Sequence, residues 1–126
     1  MAELRVLRHA EGVCLNPDRL VLLYSELGET GAERVMLRTM ENIDARLDDI
    51  DRLSRTGQVA ALIRSARTLS KMADQIGMES LSRVALDVVA ASETGDDAAR
   101  AATVARLMRI ADRSVRAVWD LKDMTL

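Results

Sequence analysis

The sequence has little of several residue types on which functional sites and β-sheet domains depend. Its 126 residues include one cysteine (Cys14), one histidine (His9), one proline and no phenylalanine, and Tyr24 and Trp119 are its only aromatic residues. A disulfide framework needs paired cysteines, and a Cys/His zinc site needs more ligands than Cys14 and His9 supply. Stacking platforms for single-stranded nucleic acid need aromatic side chains, and a β-domain needs more aromatic and β-branched residues. The composition therefore argues against a disulfide-stabilised protein, a Cys/His zinc site, a single-stranded nucleic-acid platform and a β-domain.

The charge balance and the hydrophobic runs exclude further partners. The formal net charge is −2 and the pI is about 5.4, so the chain has no large basic field with which to hold DNA or an anionic membrane. No apolar run approaches the ~20 residues of a membrane span, and charged residues interrupt the N-terminal segment where a signal peptide would be apolar. We expect a cytoplasmic protein that has no cofactor, no metal and no nucleic-acid or membrane partner.

Good helix formers dominate the composition, and five helical segments can be predicted from apolar periodicity and capping signals. Asn16 is a suitable N-cap for a helix that has Pro17 at its first position, and Gly28 is a suitable stop. Thr30 and Glu33 have capping-box spacing for a second helix. The second helix is predicted to end near Gly57, and the third to extend over Gln58–Ile76. The fourth is predicted over Glu79–Ala91, and the fifth from Asp96-Asp97 to about Asp123.

Short loops between long amphipathic helices predict antiparallel neighbours. The predicted fold is therefore all-α: an antiparallel up-down four-helix bundle over residues 16–126 with an additional N-terminal helix. Residues 1–15 are an N-terminal segment in which Gly12, Val13 and Cys14 interrupt the pattern of a short helix. Leu4, Leu7 and Ala10 suggest that short helix. The apolar stripe predicted for the fifth helix consists of Ala101, Val104, Ala105, Met108, Ala111, Val115 and Val118.

The third predicted helix contains a recognisable pattern. Residues 66–77 read Ala-Arg-Thr-Leu-Ser-Lys-Met-Ala-Asp-Gln-Ile-Gly. This stretch resembles the signature of histidine-containing phosphotransfer (HPt) domains: Ala-His-x-Leu-Lys-Gly, four further residues, an apolar residue and Gly. Ala66, Leu69, Ile76 and Gly77 match at the right offsets, and the resemblance extends over roughly residues 16–120. It implies a helical bundle of bacterial two-component phosphorelay signalling, with a response-regulator receiver domain or a histidine kinase as partner.

The departures from that signature lie at its reactive positions. Arg67 stands where the resembling family has its phospho-accepting His, Ser70 where it has Lys, and Lys71 where it has Gly. Phosphoryl transfer to a side chain needs a nucleophilic lone pair, which a neutral imidazole has and a guanidinium lacks. The sequence therefore predicts a protein that is not an enzyme and that binds a signalling partner without carrying a phosphoryl group.

Helical spacing predicts that Arg67 is exposed, because it lies opposite the stripe of Leu62, Leu69, Ala73 and Ile76. Arg64, Ser70, Lys71 and Asp74 fall near Arg67 on the same face and complete the candidate partner-binding set. One interpretation is a solvated helix face. The other is a docking surface on which Arg67 pairs with the acidic cluster that receiver domains carry in their active pocket.

Other residues are candidates for less specific roles. His9 is interpreted as a surface or cap residue, Cys14 as a small buried one, and Trp119 as either a partner anchor or the closure of the core. The acidic run Asp44, Asp48, Asp49 and Asp51 is interleaved with arginines, which favours an ion-paired face over a metal site. An alternative function is a helical scaffold or dimerisation protein unrelated to phosphorelay, and both monomer and homodimer remain open.

Overall fold

The structure is a computed structural model that describes residues 7–8 and 13–125, with the side chains of residues 13–120. Within that part, two short strands precede four helices, and the predicted all-α class is confirmed. In chain order the elements are β1 (Leu7–Arg8), β2 (Cys14–Leu15), α1 (Pro17–Arg55), α2 (Val59–Gln75), α3 (Glu79–Glu93) and α4 (Asp97–Thr125).

Helix α1 begins as predicted and is broken at Gly28. Asn16 is its N-cap, with the side chain accepting a hydrogen bond from the backbone N–H of Asp18 at 3.1 Å, and Pro17 follows at the first position. Gly28 has φ 73° and ψ 175°, outside the helical region and accessible mainly to glycine. The break divides α1 into a short arm, residues 17–27, and a long arm, residues 29–55.

The two arms bend back towards one another. In a straight helix, Leu23 and Val35 would lie about 18 Å apart along the axis. Instead both line one groove, together with Ile76 at the end of α2. The predicted stop at Gly28 thus corresponds to an elbow between two helical arms rather than to a loop between separate helices.

The other helix boundaries agree closely with the sequence pattern. Helix α2 matches the predicted third helix within one residue at each end. Helix α3 runs to Glu93, two residues past the predicted end, and Ser92 in this added stretch is buried at 3% exposure. Asp96 caps α4, and its carboxylate accepts a hydrogen bond from the backbone N–H of Ala99 at 3.1 Å.

The predicted stripe of α4 is partly wrong. Ala101 and Ala105 are exposed, whereas Leu107 and Ser114 are fully buried. Most buried positions of α4 recur at alternating intervals of three and four residues: Val104, Leu107, Ala111, Ser114 and Val118. Ala117, beside Val118, is buried as well. Alanine side chains are small, so their spacing alone does not define which side of the helix is buried. Leu107 faces inward because burying a leucine removes more apolar surface from water than burying an alanine.

The N-terminal segment also differs from the prediction. Leu7–Arg8 pairs antiparallel with Cys14–Leu15, with Leu7 opposite Leu15 and Arg8 opposite Cys14. The short helix predicted within residues 1–15 is therefore wrong for the residues that the structure describes; Leu4 and Ala10 lie outside them. Val13 and Leu15 are both buried, a two-residue alternation typical of a strand. A hydrogen bond from the backbone N–H of Cys14 to Ser80 Oγ, 2.7 Å long, ties β2 to α3.

One hydrophobic core holds all four helices and β2 together. Its fully buried larger side chains come from β2, the long arm of α1, the turn before α3 and each of the other three helices: Leu15, Met36, Ile43, Ile50, Leu62, Leu69, Met78, Leu81, Val88, Leu107 and Val118. The short arm adds Leu20, which is 5% exposed. Over the described residues, each helix is either too short or too polar to cross a membrane.

Candidate partner-binding surface on helix α2

Helix α2 separates its motif residues cleanly into a buried and an exposed set. Ala66 and Leu69 have no exposed surface, and Ile76 retains 2%. These three residues pack in the core with Leu62 and Ala73, which lie on the same side of the helix. The opposite side carries Arg64, Arg67, Lys71 and Asp74, all exposed. The apolar part of the motif thus anchors α2 and fixes which residues face outward.

Gly77 closes the turn between α2 and α3 and meets the start of α1 there. Its φ is +79°, and a Cβ at this position would overlap the backbone carbonyl oxygen of Asn16. The carbonyl oxygen of Gly77 in turn accepts a hydrogen bond from the backbone N–H of Asn16 at 2.8 Å. A side chain at residue 77 is therefore excluded twice, by the backbone conformation and by the space.

Arg67 lies at the seam between α2 and α3. Its side chain is 56% exposed, and its Nη2 donates to Oε2 of Glu93 on α3 at 3.4 Å. Glu93 is 55% exposed, so water screens the attraction between the two charges. The contact positions the guanidinium over the seam and leaves most of it open to solvent.

Two further cations flank Arg67. Arg64 precedes it by three residues and Lys71 follows it by four, which are the intervals at which helix side chains are neighbours. Neither Arg64 nor Lys71 forms an ion pair with any other residue that the structure describes. We refer to Arg64, Arg67 and Lys71 as the α2 cationic surface.

Asp74, the one acid in the predicted set, is directed to a different neighbour. Its carboxylate lies 3.6 Å from Nη2 of Arg19 on the short arm of α1. Both side chains are about half exposed, at 57% for Asp74 and 48% for Arg19. Asp74 thus marks the edge of the α2 cationic surface.

Ser70 does not belong to the exposed surface. It is 6% exposed, and its hydroxyl lies 2.8 Å from the hydroxyl of Ser82 on α3. A helical projection places Ser70 within 60° of Arg67, but α3 packs against that flank of α2 and covers it. The inclusion of Ser70 among the partner-binding residues is corrected: its hydroxyl joins α2 to α3.

Helix α3 presents two exposed residues that the sequence pattern did not mark, and one of them, Glu93, contacts the α2 cationic surface. Glu93 is the ion-pair partner of Arg67. Leu86 precedes Glu93 by seven residues, which places these two residues on one face of α3. Leu86 is 50% exposed. The signal available beforehand was that Leu86 falls outside the apolar stripe of Leu81, Val84, Ala85 and Val88.

The chemistry available on this surface is binding. Guanidinium and ammonium groups donate hydrogen bonds and attract anions, and Arg67 has no lone pair that would accept a phosphoryl group. Among the described residues, His, Cys, Asp and Glu side chains nowhere gather in threes as a metal ion would require. The arrangement is suited to holding a carboxylate or phosphate of a partner.

The remaining candidates take ordinary structural places. Trp119 is partly buried against the core, which favours the closure interpretation over a partner anchor. Cys14 is a free thiol of intermediate exposure. In the acidic run of α1, Asp49 pairs with Arg52 and Asp51 with Arg55, at 3.3 and 3.0 Å. His9 lies outside the described residues.

Comparisons of the chain with protein-family models, with curated proteins and with solved structures give no match.

Proposed function

We propose that this chain is an HPt-like binding module that docks on a receiver domain of a two-component system without passing a phosphoryl group. The observation that carries the proposal is Arg67, an exposed guanidinium at the position where the resembling motif has its phospho-accepting histidine. Around it, the resembling pattern supplies the buried Ala66 and Leu69 and the obligatory Gly77. The frame of the motif is thus combined with a group that binds anions and cannot be phosphorylated.

Electrostatics supports a receiver domain as the partner. The resembling family docks on receivers whose active pocket holds several carboxylates, and a planar guanidinium can pair with a carboxylate through two parallel hydrogen bonds. Arg64 and Lys71 add positive charge on either side of Arg67. A contact of this kind would occupy the pocket and block its phosphorylation.

The competing Glu93 does not prevent such docking. Its contact with Arg67 is long, at 3.4 Å, and exposed pairs of this kind contribute about 0–1 kcal/mol. A hydrogen bond to a charged group in a desolvated interface contributes about 1.5–3 kcal/mol. Glu93 is therefore a weak competitor for Arg67.

The test measures the affinity of purified receiver domains by fluorescence anisotropy, with Arg67→Ala and a control variant, Arg113→Ala. Arg113 is an exposed arginine on α4, away from the α2 cationic surface. We expect Arg67→Ala to lower the affinity for a cognate receiver at least about tenfold, which corresponds to about 1.4 kcal/mol. Arg113→Ala should bind as the unmodified chain does. Equal affinity of all three proteins would remove Arg67 from the interface.

A second measurement separates binding from transfer. When the chain is incubated with a phosphorylated receiver, we expect no acid-labile label on it, because guanidinium offers no nucleophile. Label on the unmodified chain would contradict the proposal. An Arg67→His variant that gains label would show that the surrounding surface still fits the receiver.

A further inference from the structure

A groove of about 550 Å³ lies between the long arm of α1 and helix α4, and we call it the α1–α4 groove. Leu47 and Ala111 are its most buried lining residues, and Met108 and Val115 are partly buried beside them against the core. Met108 and Val115 are seven residues apart, so the apolar strip continues for about 10 Å along α4. An apolar groove with a polar rim is typical of a binding site.

Both sides of the α1–α4 groove carry exposed carboxylates. Asp44 and Asp48 of α1 and Asp112 of α4 line it, and none of the described lining residues is basic. Asp44 and Asp48 are four residues apart, so their side chains are neighbours on one side of α1. Neither forms an ion pair with another residue that the structure describes. They differ in this from Asp49 and Asp51 of the same acidic run, which are paired with arginines.

The neighbouring arginines leave most of this negative charge uncompensated. Arg116 pairs with Asp112 at 3.2 Å and so offsets one of the three carboxylates. Arg46 lines a different groove, between α1 and Met72 of α2. Arg109 and Arg113 lie about 110° and 150° round the helix from the middle of the α4 lining, so neither faces the groove.

The charged residues of α1 just beyond the groove do not change the sign of its rim. Glu41 is exposed three residues before Asp44 and adds one acid. Asp51 follows Asp48 by three residues and pairs with Arg55 at 3.0 Å, which adds no net charge. The α1–α4 groove therefore combines an apolar centre with a net negative rim, in which two carboxylates have no cation beside them.

We propose that the α1–α4 groove binds a cationic amphipathic helix of a partner protein. Its apolar strip is about two helical turns long, which is the length that the i, i+3, i+4 and i+7 side chains of a docked helix cover. Lysines or arginines beside those side chains would reach the carboxylates on both sides of the groove, and their aliphatic stems would cover its walls. The charge of the rim selects this partner, because an acidic helix or the acidic pocket of a receiver would be repelled. The inference is independent of the receiver proposal, which concerns α2.

Fluorescence anisotropy with a labelled synthetic peptide of about 14 residues, or four helical turns, tests the groove. The peptide has leucines at helical spacing on one side and lysines at the other positions. We expect Asp44→Asn/Asp48→Asn to weaken its binding at least about tenfold. The matched control, Glu26→Gln/Glu29→Gln, removes the same charge from two exposed acids of α1 outside the groove and should change the affinity less than about twofold. Circular dichroism should report the same helix content for all three proteins.

Two further peptides separate the apolar contact from the charge. One has serine in place of each leucine, the other has glutamate in place of each lysine, and neither should bind. The proposal is overturned if the leucine–lysine peptide does not bind, if the serine peptide binds equally well, or if the matched control weakens binding as much as Asp44→Asn/Asp48→Asn does.

Sedimentation velocity of the chain without peptide tests a second copy as the occupant. A dimer that Asp44→Asn/Asp48→Asn abolishes would assign the groove to a second copy and overturn the proposal, whereas a monomer leaves the groove open to a partner helix. Arg67→Ala should not change the peptide affinity, and Asp44→Asn/Asp48→Asn should not change the receiver affinity. The two proposals can therefore fail separately.

Discussion

The guanidinium of Arg67 reaches across the seam between α2 and α3 to the carboxylate of Glu93, with 3.4 Å between Nη2 and Oε2. On the opposite flank of α3, Arg106 of α4 makes a similar contact with Asp87, also at 3.4 Å. The two pairs resemble each other in length and in exposure. Only the first includes a residue of the α2 cationic surface, so the second serves as its control.

Replacing Glu93 with Gln should free Arg67. We expect the free energy of unfolding to change by less than about 1 kcal/mol, because the pair is exposed, while the affinity for a cognate receiver increases. Urea unfolding and fluorescence anisotropy measure the two effects. Asp87→Asn removes the equivalent charge beside Arg106 and should leave receiver affinity unchanged. Weaker receiver binding by Glu93→Gln would mean that Glu93 positions Arg67 for the partner instead of competing with it.

Gly77→Ala should destabilise the fold more than Gly57→Ala does. Both glycines have a positive φ, +79° and +71°, so both substitutions impose backbone strain of about 1 kcal/mol or more. At residue 77 the new Cβ would also overlap the backbone of Asn16. At residue 57 no atom lies within 4 Å of the new Cβ. Thermal unfolding of the two variants measures the difference. Equal losses would show that Asn16 moves away without cost.

Ser70→Ala should lower the free energy of unfolding by about 1 kcal/mol, because the hydroxyl of Ser82 loses its partner in a mostly buried place. The double variant Ser70→Ala/Ser82→Ala should recover part of that loss, since no hydroxyl is then left unpaired. Urea unfolding of the single and double variants measures the coupling. Receiver binding should be the same in all of them, and a loss of binding specific to Ser70→Ala would return this residue to the interface.

Leu107→Ala tests the orientation of α4. Leu107 is fully buried, so its truncation should cost about 2–5 kcal/mol. Leu86→Ala makes the same chemical change at a side chain that is 50% exposed and should cost less than about 1 kcal/mol. Chemical denaturation compares the two variants. A small loss for Leu107→Ala would indicate that α4 turns the face predicted from its alanines, with Ala101 and Ala105 inward.

The sequence by itself determined the bounds of α2, α3 and α4 to within two residues, the cap at Asn16 and the buried side of α2. Apolar periodicity and capping are local properties, so Asn16, Gly28 and the burial of Leu69 could be read from residues a few positions apart. The exposure of Arg67 followed in the same way. Residues three and four positions apart lie on the same side of a helix, so their polarity is enough to predict which side is buried and which is exposed.

Only the tertiary structure decided what each helix flank meets. Ser70 and Arg64 lie at equal angles from Arg67, yet α3 covers Ser70 and leaves Arg64 exposed. The partner of Arg67 lies 26 residues away, and the hydrogen bond that ties Cys14 to Ser80 spans 66 residues. The inward turn of Leu107 and the bend that joins Leu22 to Val35 likewise depend on neighbouring elements. Periodicity specifies a face of a helix, whereas packing between helices determines which residues at the edge of that face remain accessible to a partner.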